Sequence, residues 1–449
     1  MSGQISLPYT EPGVPSVSAN LDLFSKPILQ TGVDKVYYQE IHPNAPLSDS
    51  SNSISFDYAG DSCYLDLDDS YMMVQLKVTK ADGTNMDALS KDHSCSTINA
   101  PLYSLFKDLD IKVSDTSISN NLGTFPWTSM VQILMNYGND FLQTKASLFG
   151  FYRDSDPAVT EVMSGTSGFR ERAKLTQLSR PIRLIGPIMG HYFHSISRYF
   201  INMCKISWTF TKNTPAFFLK SGDAGTPTYK YKIMDMRLML KKILLYPSTN
   251  LYLENKLATE AMQYPTTVFY TKELTLPANS RSEIYPNVFS NPFMPKRCLV
   301  FFLDQTNFLG TYGTSPFKFQ NFNLESLQFH YDNSSYPSQP QNLDLSDADN
   351  LDAAKGYLSL FQNSIFKGDS GPIAIQLEHY AESFFFLAFS FGEESSYGEF
   401  FSEKKIGNCD MSIKLKANTN PTVKILLYVE YNEIIAIDQN RTVLRDFHL

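Results

Sequence analysis

Apolar and polar residues alternate over short stretches along the whole chain, which is the pattern of β-strands with one buried face. The clearest alternation lies at residues 74–79, 109–113, 206–210, 327–331 and 411–415. Residues 299–303 and 423–429 are apolar with little alternation, as is typical of strands buried on both faces. The pattern therefore predicts an all-β protein.

Helical patterns are few. One helix is predicted after Phe125-Pro126-Trp127, because proline favours a first helical turn and Val131, Leu134 and Met135 follow at partial helical spacing. A second is predicted over residues 251–262. Many short strands with few helices favour β-sandwiches or Greek-key jelly rolls.

A length of 449 residues suggests two to four domains. Residues 1–50 are rich in Ser, Pro, Asn and Gly and are predicted to form an extended arm. The apolar cluster of the arm at Leu21, Leu23 and Phe24 either docks on a neighbouring surface or belongs to a disordered tail. The turn-rich stretch 221–229 divides two halves of similar strand content, so the predicted domains are 51–225 and 226–449.

Aromatic residues make up 14% of the chain, with 33 Phe and 26 Tyr but only 2 Trp. Such side chains favour strands and large contact surfaces. The formal net charge is −8, and no run of basic residues exceeds Lys241-Lys242 or Lys404-Lys405. Proteins that coat phosphate backbones usually carry a basic stripe, so direct nucleic-acid binding is not expected.

The cysteines are odd in number and scattered, without a CxxC motif, at Cys63, Cys95, Cys204, Cys298 and Cys409. This spacing predicts reduced, buried thiols in place of a disulfide framework or a zinc site. The N-terminus has no basic region followed by an apolar stretch, so no secretory signal is predicted. The most apolar run, residues 384–391, is too short to span a membrane.

Gly368-Asp369-Ser370-Gly371-Pro372 resembles the nucleophile motif of trypsin-like serine proteases. That chemistry needs an upstream histidine base and a buried aspartate that orients it. The Ala-Ala-His-Cys motif of that family is absent, and no upstream histidine has a comparable setting. The motif is therefore predicted to be a turn.

His191 and His194 are three residues apart, but no carboxylate or cysteine lies nearby at ligand spacing. Their segment looks strand-like, which would point the two rings to opposite faces. Two acidic clusters lack the glycine and terminal glutamate of an EF-hand and are predicted to be solvated loops. They comprise Asp66, Asp68 and Asp69, and Asp344, Asp347, Asp349 and Asp352. The sequence thus predicts no catalytic, cofactor-binding or metal-binding residues, and no enzyme.

Several segments, in order over nearly the whole chain, carry a more specific likeness. They include Tyr64-Leu-Asp-Leu-Asp-Asp-Ser-Tyr, residues 100–111, Thr124-Phe-Pro-Trp, residues 133–138, residues 315–327, Tyr336-Pro-Ser-Gln-Pro, residues 422–433 and residues 441–447. In these segments the chain resembles the double jelly-roll major capsid proteins of Maverick/Polinton elements and the related adintoviruses. Virophage and adenovirus coat proteins are similar at a greater distance.

The resemblance implies a double jelly roll, that is, two tandem eight-stranded β-sandwiches side by side with a few short helices in loops. It further implies a homotrimeric, pseudo-hexameric capsomer in an icosahedral shell around double-stranded DNA. Expected partners are neighbouring capsomers, a single jelly-roll penton protein and minor capsid proteins. The expected location is the virion, after synthesis in the host cytoplasm and assembly in the nucleus or cytoplasm. The helix after Pro126 and the loop segments would then serve trimer contacts.

Two other functions remain open from the residues alone. One is a jelly-roll protein that binds a ligand or carbohydrate, such as a viral fibre or a lectin-like module, and it predicts a concave aromatic site. The other is a hydrolase that uses Ser370.

Overall fold

The structure is a computed structural model that describes residues 29–446 except for 92, 115, 120–121, 164–166, 224–227, 290–292, 333, 339–342, 344, 346–350, 363–372, 392–405 and 420. The first half contains β1 (Val33–Ile41), β2 (Ser53–Tyr58), β3 (Tyr64–Lys80), β4 (Cys95–Thr97), β5 (Phe106–Val113), β6 (Thr116–Ser117), β7 (Ile182–Pro187), β8 (Ile206–Lys212), β9 (Leu219–Ser221) and β10 (Tyr229–Leu245). The second contains β11 (Met262–Leu276), β12 (Ser282–Tyr285), β13 (Arg297–Asp304), β14 (Leu324–Tyr331), β15 (Ser334–Tyr336), β16 (Phe386–Ser390), β17 (Cys409–Leu415), β18 (Val423–Ile437) and β19 (Val443–Asp446).

The helices are short and lie between strands. They are α1 (Pro101–Ser104), α2 (Phe125–Asn136), α3 (Asn139–Gln143), α4 (Gly168–Thr176), α5 (Pro215–Phe218), α6 (Pro247–Leu257), α7 (Gln305–Leu309), α8 (Leu351–Gln362) and α9 (Leu377–Ser383). Single 3-10 turns occur at Lys145–Phe149, Gln177–Ser179 and Tyr192–Ser195. None of the described helices has the length and apolar character that crossing a bilayer requires.

The two halves have the same strand order. In the first half one sheet runs β1-β10-β3-β7 and the other β2-β8-β5-β6. In the second half the sheets run β11-β18-β13-β16 and β12-β17-β14-β15. We number the eight sandwich strands of each half from one to eight in chain order, leaving out β4, β9 and β19. In both halves the two sheets then have the strand orders 1-8-3-6 and 2-7-4-5. All these pairs are antiparallel. The predicted pair of eight-stranded sandwiches is therefore confirmed.

The sandwiches stand side by side in the same direction. Val33 pairs with Leu245 in the first sandwich, and Met262 pairs with Ile437 in the second; these pairs mark what we call the lower end. At this end the Arg198 side chain of the first sandwich donates a 2.7 Å hydrogen bond to the carbonyl of Gln263 in the second. At the opposite, upper end, the Tyr312 hydroxyl donates to the carbonyl of Tyr229 at 2.8 Å.

The five alternating stretches lie in β3, β5, β8, β14 and β17, as predicted. The unalternating stretches lie in β13 and β18, whose side chains are buried on both faces over most of their length. Helix α2 begins where Pro126 predicted it. The second predicted helix was misplaced: α6 begins at Pro247 and ends at Leu257, because residues from Met262 onward extend to pair with β18.

Two boundaries differ from the sequence-based division. The predicted arm contains β1, which pairs with β10 over Val33–Ile41, whereas residues 1–28, including Leu21, Leu23 and Phe24, lie outside the described residues. Strand β10 follows the predicted domain boundary at residue 225, yet it is the eighth strand of the first sandwich and pairs with β1 and β3. The stretch after residue 225 thus completes the first sandwich before the second begins.

One continuous apolar core runs through both sandwiches. It includes Trp208 and Phe210 of the first sandwich, Phe301 and Phe329 of the second, and the side chains of α2 between them. A separate small cluster lies around Phe169 near the upper end. The two sandwiches therefore form one packed unit.

Candidate functional site

The histidine pair is structural. The strand predicted here was wrong, because residues Tyr192–Ser195 form a 3-10 turn. The His191 side chain caps this turn by accepting a hydrogen bond from the Phe193 amide at 3.2 Å. The Trp208 indole donates to Nε2 of His194 at 2.9 Å, and Nδ1 of His194 lies 3.3 Å from the Leu67 carbonyl. This pairing fits a neutral ring with its proton on Nδ1. Burial lowers the pKa of His194 to about 4, although the Leu67 hydrogen bond opposes the shift.

The low pKa of His194 predicts acid sensitivity. In the unfolded chain the ring titrates near pH 6.5, so between pH 6.5 and 4 only the unfolded state takes up this proton. We expect the free energy of unfolding to fall by about 2 kcal/mol from pH 7.5 to 5 through this group. His194→Gln should be less stable at pH 7.5 but lose less on acidification, in urea unfolding at both pH values. His42→Gln, at an exposed ring, should keep the wild-type pH dependence; an unchanged dependence in His194→Gln would contradict the assignment.

The first acidic cluster was predicted to be a solvated loop, and this prediction was wrong. Asp66 and Asp69 lie in β3, where its register against β10 is irregular, and their carboxylates lie 2.9 and 2.5 Å from Nζ of Lys241. Burial, followed by the charges of Asp66 and Asp69, raises the pKa of Asp68. Of the second cluster, Asp344, Asp347 and Asp349 lie outside the described residues. In the described part of the chain no three His, Cys, Asp or Glu side chains are grouped closely enough to hold a metal ion.

The five cysteines are free and buried, as predicted. Burial raises the pKa of Cys204 to about 11 and that of Cys409 to about 12. Burial also raises the pKa values of Cys95 and Cys298. A nucleophilic cysteine needs a lowered pKa, so these four thiols are unsuited to catalysis. The Gly368–Pro372 motif with Ser370 lies outside the described residues.

The junction between the sandwiches is built around α2. Every residue of α2 except Asn136 is buried. The Trp127 ring stacks on Phe308 of the second sandwich at a centroid distance of 4.6 Å and meets Phe217 of the first edge-on at 5.4 Å. Its indole nitrogen donates to the Pro316 carbonyl at 2.9 Å. The prediction that this helix serves trimer contacts is therefore wrong, because its side chains are used within one chain.

The helix also contacts an open strand edge. Strand β11 pairs with β18 on one side, and its other edge faces the first sandwich. The Thr124 hydroxyl donates to the Thr271 carbonyl at 2.8 Å, as Arg198 does to that of Gln263. Alternate residues of a strand direct their backbone N–H and C=O groups to the same edge, so residues 263, 265 and 271 all face the first sandwich. Because Pro265 has no N–H, this edge has one donor fewer that would need a partner. The first sandwich thus covers an edge that would otherwise expose backbone polar groups.

Polar contacts close the junction at its lower end. Arg441, which follows β18, donates from Nη2 to both carboxylate oxygens of Glu254 in α6, at 2.8 and 3.1 Å. The same side chain donates to the carbonyl and side-chain oxygens of Asn202 at 3.2 and 3.0 Å. The Ser114 hydroxyl of the first sandwich donates to the Arg441 carbonyl at 2.9 Å. The charged head of Arg441 therefore ties both sandwiches to the connection between them.

Each partner in this junction has a counterpart in the other sandwich. The counterpart of β11 is β1, which within the described residues pairs only with β10 and exposes Val36 and Tyr38. Helix α2 lies in the connection between strands five and six of the first sandwich. The same connection in the second sandwich contains α8 and α9. These two helices expose Leu351, Leu358 and Leu377, which are 69%, 51% and 45% accessible. Within one chain, the α2 side and the β11 edge cover each other, whereas their counterparts, the α8–α9 surface and β1, are exposed.

No family model matches the chain. An uncharacterised protein of Caenorhabditis elegans is 19% identical over 397 residues, which cover 85% of this chain and 90% of that protein.

Similar solved structures cover almost the whole chain. A chain of the Sputnik virophage particle aligns with a TM-score of 0.59 at 13% identity and covers 96% of this chain and 92% of its own. The mavirus major capsid protein aligns with a TM-score of 0.53 at 12% identity, with coverages of 100% and 96%. The Faustovirus major capsid protein gives 0.57 at 9% identity, with coverages of 93% and 93%. The fold is a double jelly roll. At such low identities the likeness establishes the fold alone.

Sequence reasoning missed the residues that join the two halves of this double jelly roll. Trp127 and Thr124 were noted in the sequence only as parts of the predicted helix and of the resemblance. Pro265 was an available signal, because a proline in a strand-like stretch indicates an edge strand. Arg441 and Glu254 are 187 positions apart, and no local pattern links them.

Proposed function

We propose that this protein is a structural major capsid protein, in which three copies form a pseudo-hexameric capsomer and capsomers tile an icosahedral shell around double-stranded DNA. The double jelly-roll fold supports the proposal, since mavirus and Faustovirus major capsid proteins have the same fold. Fold alone does not give function, so the proposal depends on a property of this chain's own surface.

That property is the head-to-tail contact between the sandwiches. The α2 side of the first sandwich covers the β11 edge of the second, and the two contacting surfaces differ. A repeated contact between unlike surfaces makes either a closed ring or an open filament. The exposed counterparts, β1 on one copy and the α8–α9 surface on the next, are placed to repeat it between chains. Six sandwiches in one ring correspond to three chains, which is the proposed capsomer.

Further parts of the proposal come from the sequence resemblance. We assign the chain to the capsid proteins of Maverick/Polinton elements or adintoviruses, with the virion as its location and the host cytoplasm as its place of synthesis. A single jelly-roll penton protein and minor capsid proteins would complete the shell, which would assemble in the nucleus or cytoplasm. The net charge of −8 supports a shell that encloses DNA without binding it directly.

We also propose a revised domain division. The first jelly roll would extend from β1 to β10 (33–245), the connection with α6 would occupy 246–261, and the second jelly roll would begin at Met262. The pairing of β10 with β1 and β3 supports this division over one at residue 225.

Substitution of the β1 edge tests the proposal. The double variant Val36→Glu/Tyr38→Glu places charges on two side chains that are 47% and 46% accessible, so the fold should be retained. We expect wild-type protein to form trimers, and the variant to be mainly monomeric, in light scattering and negative-stain electron microscopy. Leu358→Glu, on the α8–α9 surface, should have the same effect.

Leu148→Glu, at an apolar side chain exposed on another part of the first sandwich, is the matched control and should still form trimers. Circular dichroism should show the same β-sheet signal for all variants. A monomeric wild-type protein would refute the capsomer, and trimers from both surface variants would refute the proposed contact.

A further inference from the structure

An apolar groove of about 790 Å³ lies at the lower end of the molecule, between α6 and the first residues of β1 and β11. Its lining includes Val33, Leu245, Leu253, Leu257 and Met262. Tyr199, also in the lining, is 45% exposed. A concave, mostly apolar surface of this size is typical of sites that bind a ligand or a partner segment.

Charged side chains also line the groove. Arg198, Lys256 and Glu260 belong to the lining, and Nζ of Lys256 lies 3.7 Å from the Glu260 carboxylate. Both members of this pair are more than half exposed, so the lysine is available to a further acidic group. The groove therefore suits an apolar segment that carries a single negative charge.

The described part of the chain begins at the mouth of this groove. Gly32 and Val33 line it, and the Tyr246 amide donates to the Gly32 carbonyl at 3.2 Å. The Gln30 side chain accepts from the Val33 amide at 3.2 Å and donates to the Val33 carbonyl at 3.4 Å. These bonds hold the chain beside the groove, with Leu29 77% exposed. The preceding 28 residues therefore start where the groove opens.

We propose that residues 21–24 of the same chain, Leu-Asp-Leu-Phe, bind in this groove. Leu21, Leu23 and Phe24 supply apolar side chains, and Asp22 supplies the one negative charge for Arg198 and Lys256. From Phe24 to Leu29 is five residues, a reach of up to about 17 Å when extended. A short tether of this kind corresponds to a local concentration in the millimolar range, which favours the chain's own segment over that of a second copy.

The binding would cover the connection between the two jelly rolls. Leu253 and Leu257 belong to α6, while Val33 and Met262 open the first strands of the two sandwiches. A bound segment would contact all three elements at once. This role is independent of the proposed capsid function, because it concerns the folding of one chain.

Disulfide trapping tests the proposal in the full-length protein. The variant Leu23→Cys/Thr249→Cys places one thiol in the segment and one in the groove lining. The five natural cysteines are buried, so the introduced pair is the accessible one. We expect an intrachain disulfide to form on the order of tenfold faster than in Val14→Cys/Thr249→Cys, which has its thiol elsewhere in the same arm.

Equal rates in the two variants would overturn the proposal, and covalent dimers on a denaturing gel would show that the segment of a second copy binds instead. Hydrogen exchange gives a test without new thiols: residues 21–24 should be protected in the wild type and exposed in Leu253→Glu. Exposure in the wild type would also overturn the proposal. Both readouts work in any oligomeric state, so their failure is distinct from a failure to form trimers.

Discussion

Trp127→Ala is expected to lower the free energy of unfolding by about 3–5 kcal/mol, as large aromatic-to-alanine changes in cores do. The indole is 3% exposed, stacks on Phe308 and donates to the Pro316 carbonyl. Its removal would leave a cavity between the two jelly rolls and a carbonyl without its donor. The loss should therefore weaken the attachment of one sandwich to the other as well as the core.

Urea unfolding followed by circular dichroism measures this effect, because only 2 tryptophans are present and fluorescence would change with the substitution. Trp127→Phe is the matched control, since it keeps an aromatic ring against Phe308 but loses the hydrogen bond, and it should cost less than the alanine variant. A loss of less than about 1 kcal/mol in Trp127→Ala would show that α2 does not hold the junction.

Glu430→Ala is expected to destabilise the second jelly roll by about 3–5 kcal/mol, the usual result of removing one member of a buried ion pair. Arg297 in β13 donates from Nε and Nη2 to the two carboxylate oxygens of Glu430 in β18, at 3.0 and 2.7 Å. Their side chains are 5% and 4% exposed. The substitution would leave the guanidinium charge buried without its main partner.

The comparison variant is Glu171→Ala, which removes one member of the exposed pair with Lys174 and should change stability by about 0–1 kcal/mol. Replacing both buried charges, in Arg297→Met/Glu430→Leu, should recover much of the loss because no uncompensated charge remains. Thermal unfolding of the three variants and the wild type at neutral pH compares them directly. Equal transition temperatures for Glu430→Ala and the wild type would contradict the expected cost.

Strands with one buried face were predictable from sequence, whereas strands at an open edge were not. In β3 every second residue from Met72 to Val78 is buried, so the alternation of apolar and polar residues in the sequence predicts this strand directly. In β1 most positions are exposed, and Asp34, Lys35 and Glu40 disrupt the alternation. The burial that produces the pattern is absent there, so β1 was included in the predicted arm.

The place of β10 required long-range information. Residues 236–240 alternate in burial like any sandwich strand, but the turns at 221–229 suggested a new domain. Only its pairing with β1 and β3, both far earlier in the sequence, shows that this strand closes the first jelly roll. The same limit applies to α2: its apolar residues predict burial, but a sequence does not distinguish a neighbour in the same chain from one in another copy.

The shared core has a consequence for curvature. Because α2 and a continuous apolar interior join the two sandwiches, their relative angle is fixed when the chain folds and is not adjustable during association. If copies associate as proposed, every bend of a curved shell has to be taken up at contacts between separate chains. Particle size would then depend on the exposed surfaces at β1 and α8–α9 and on the outer rims, while each chain enters the shell as a block of constant shape.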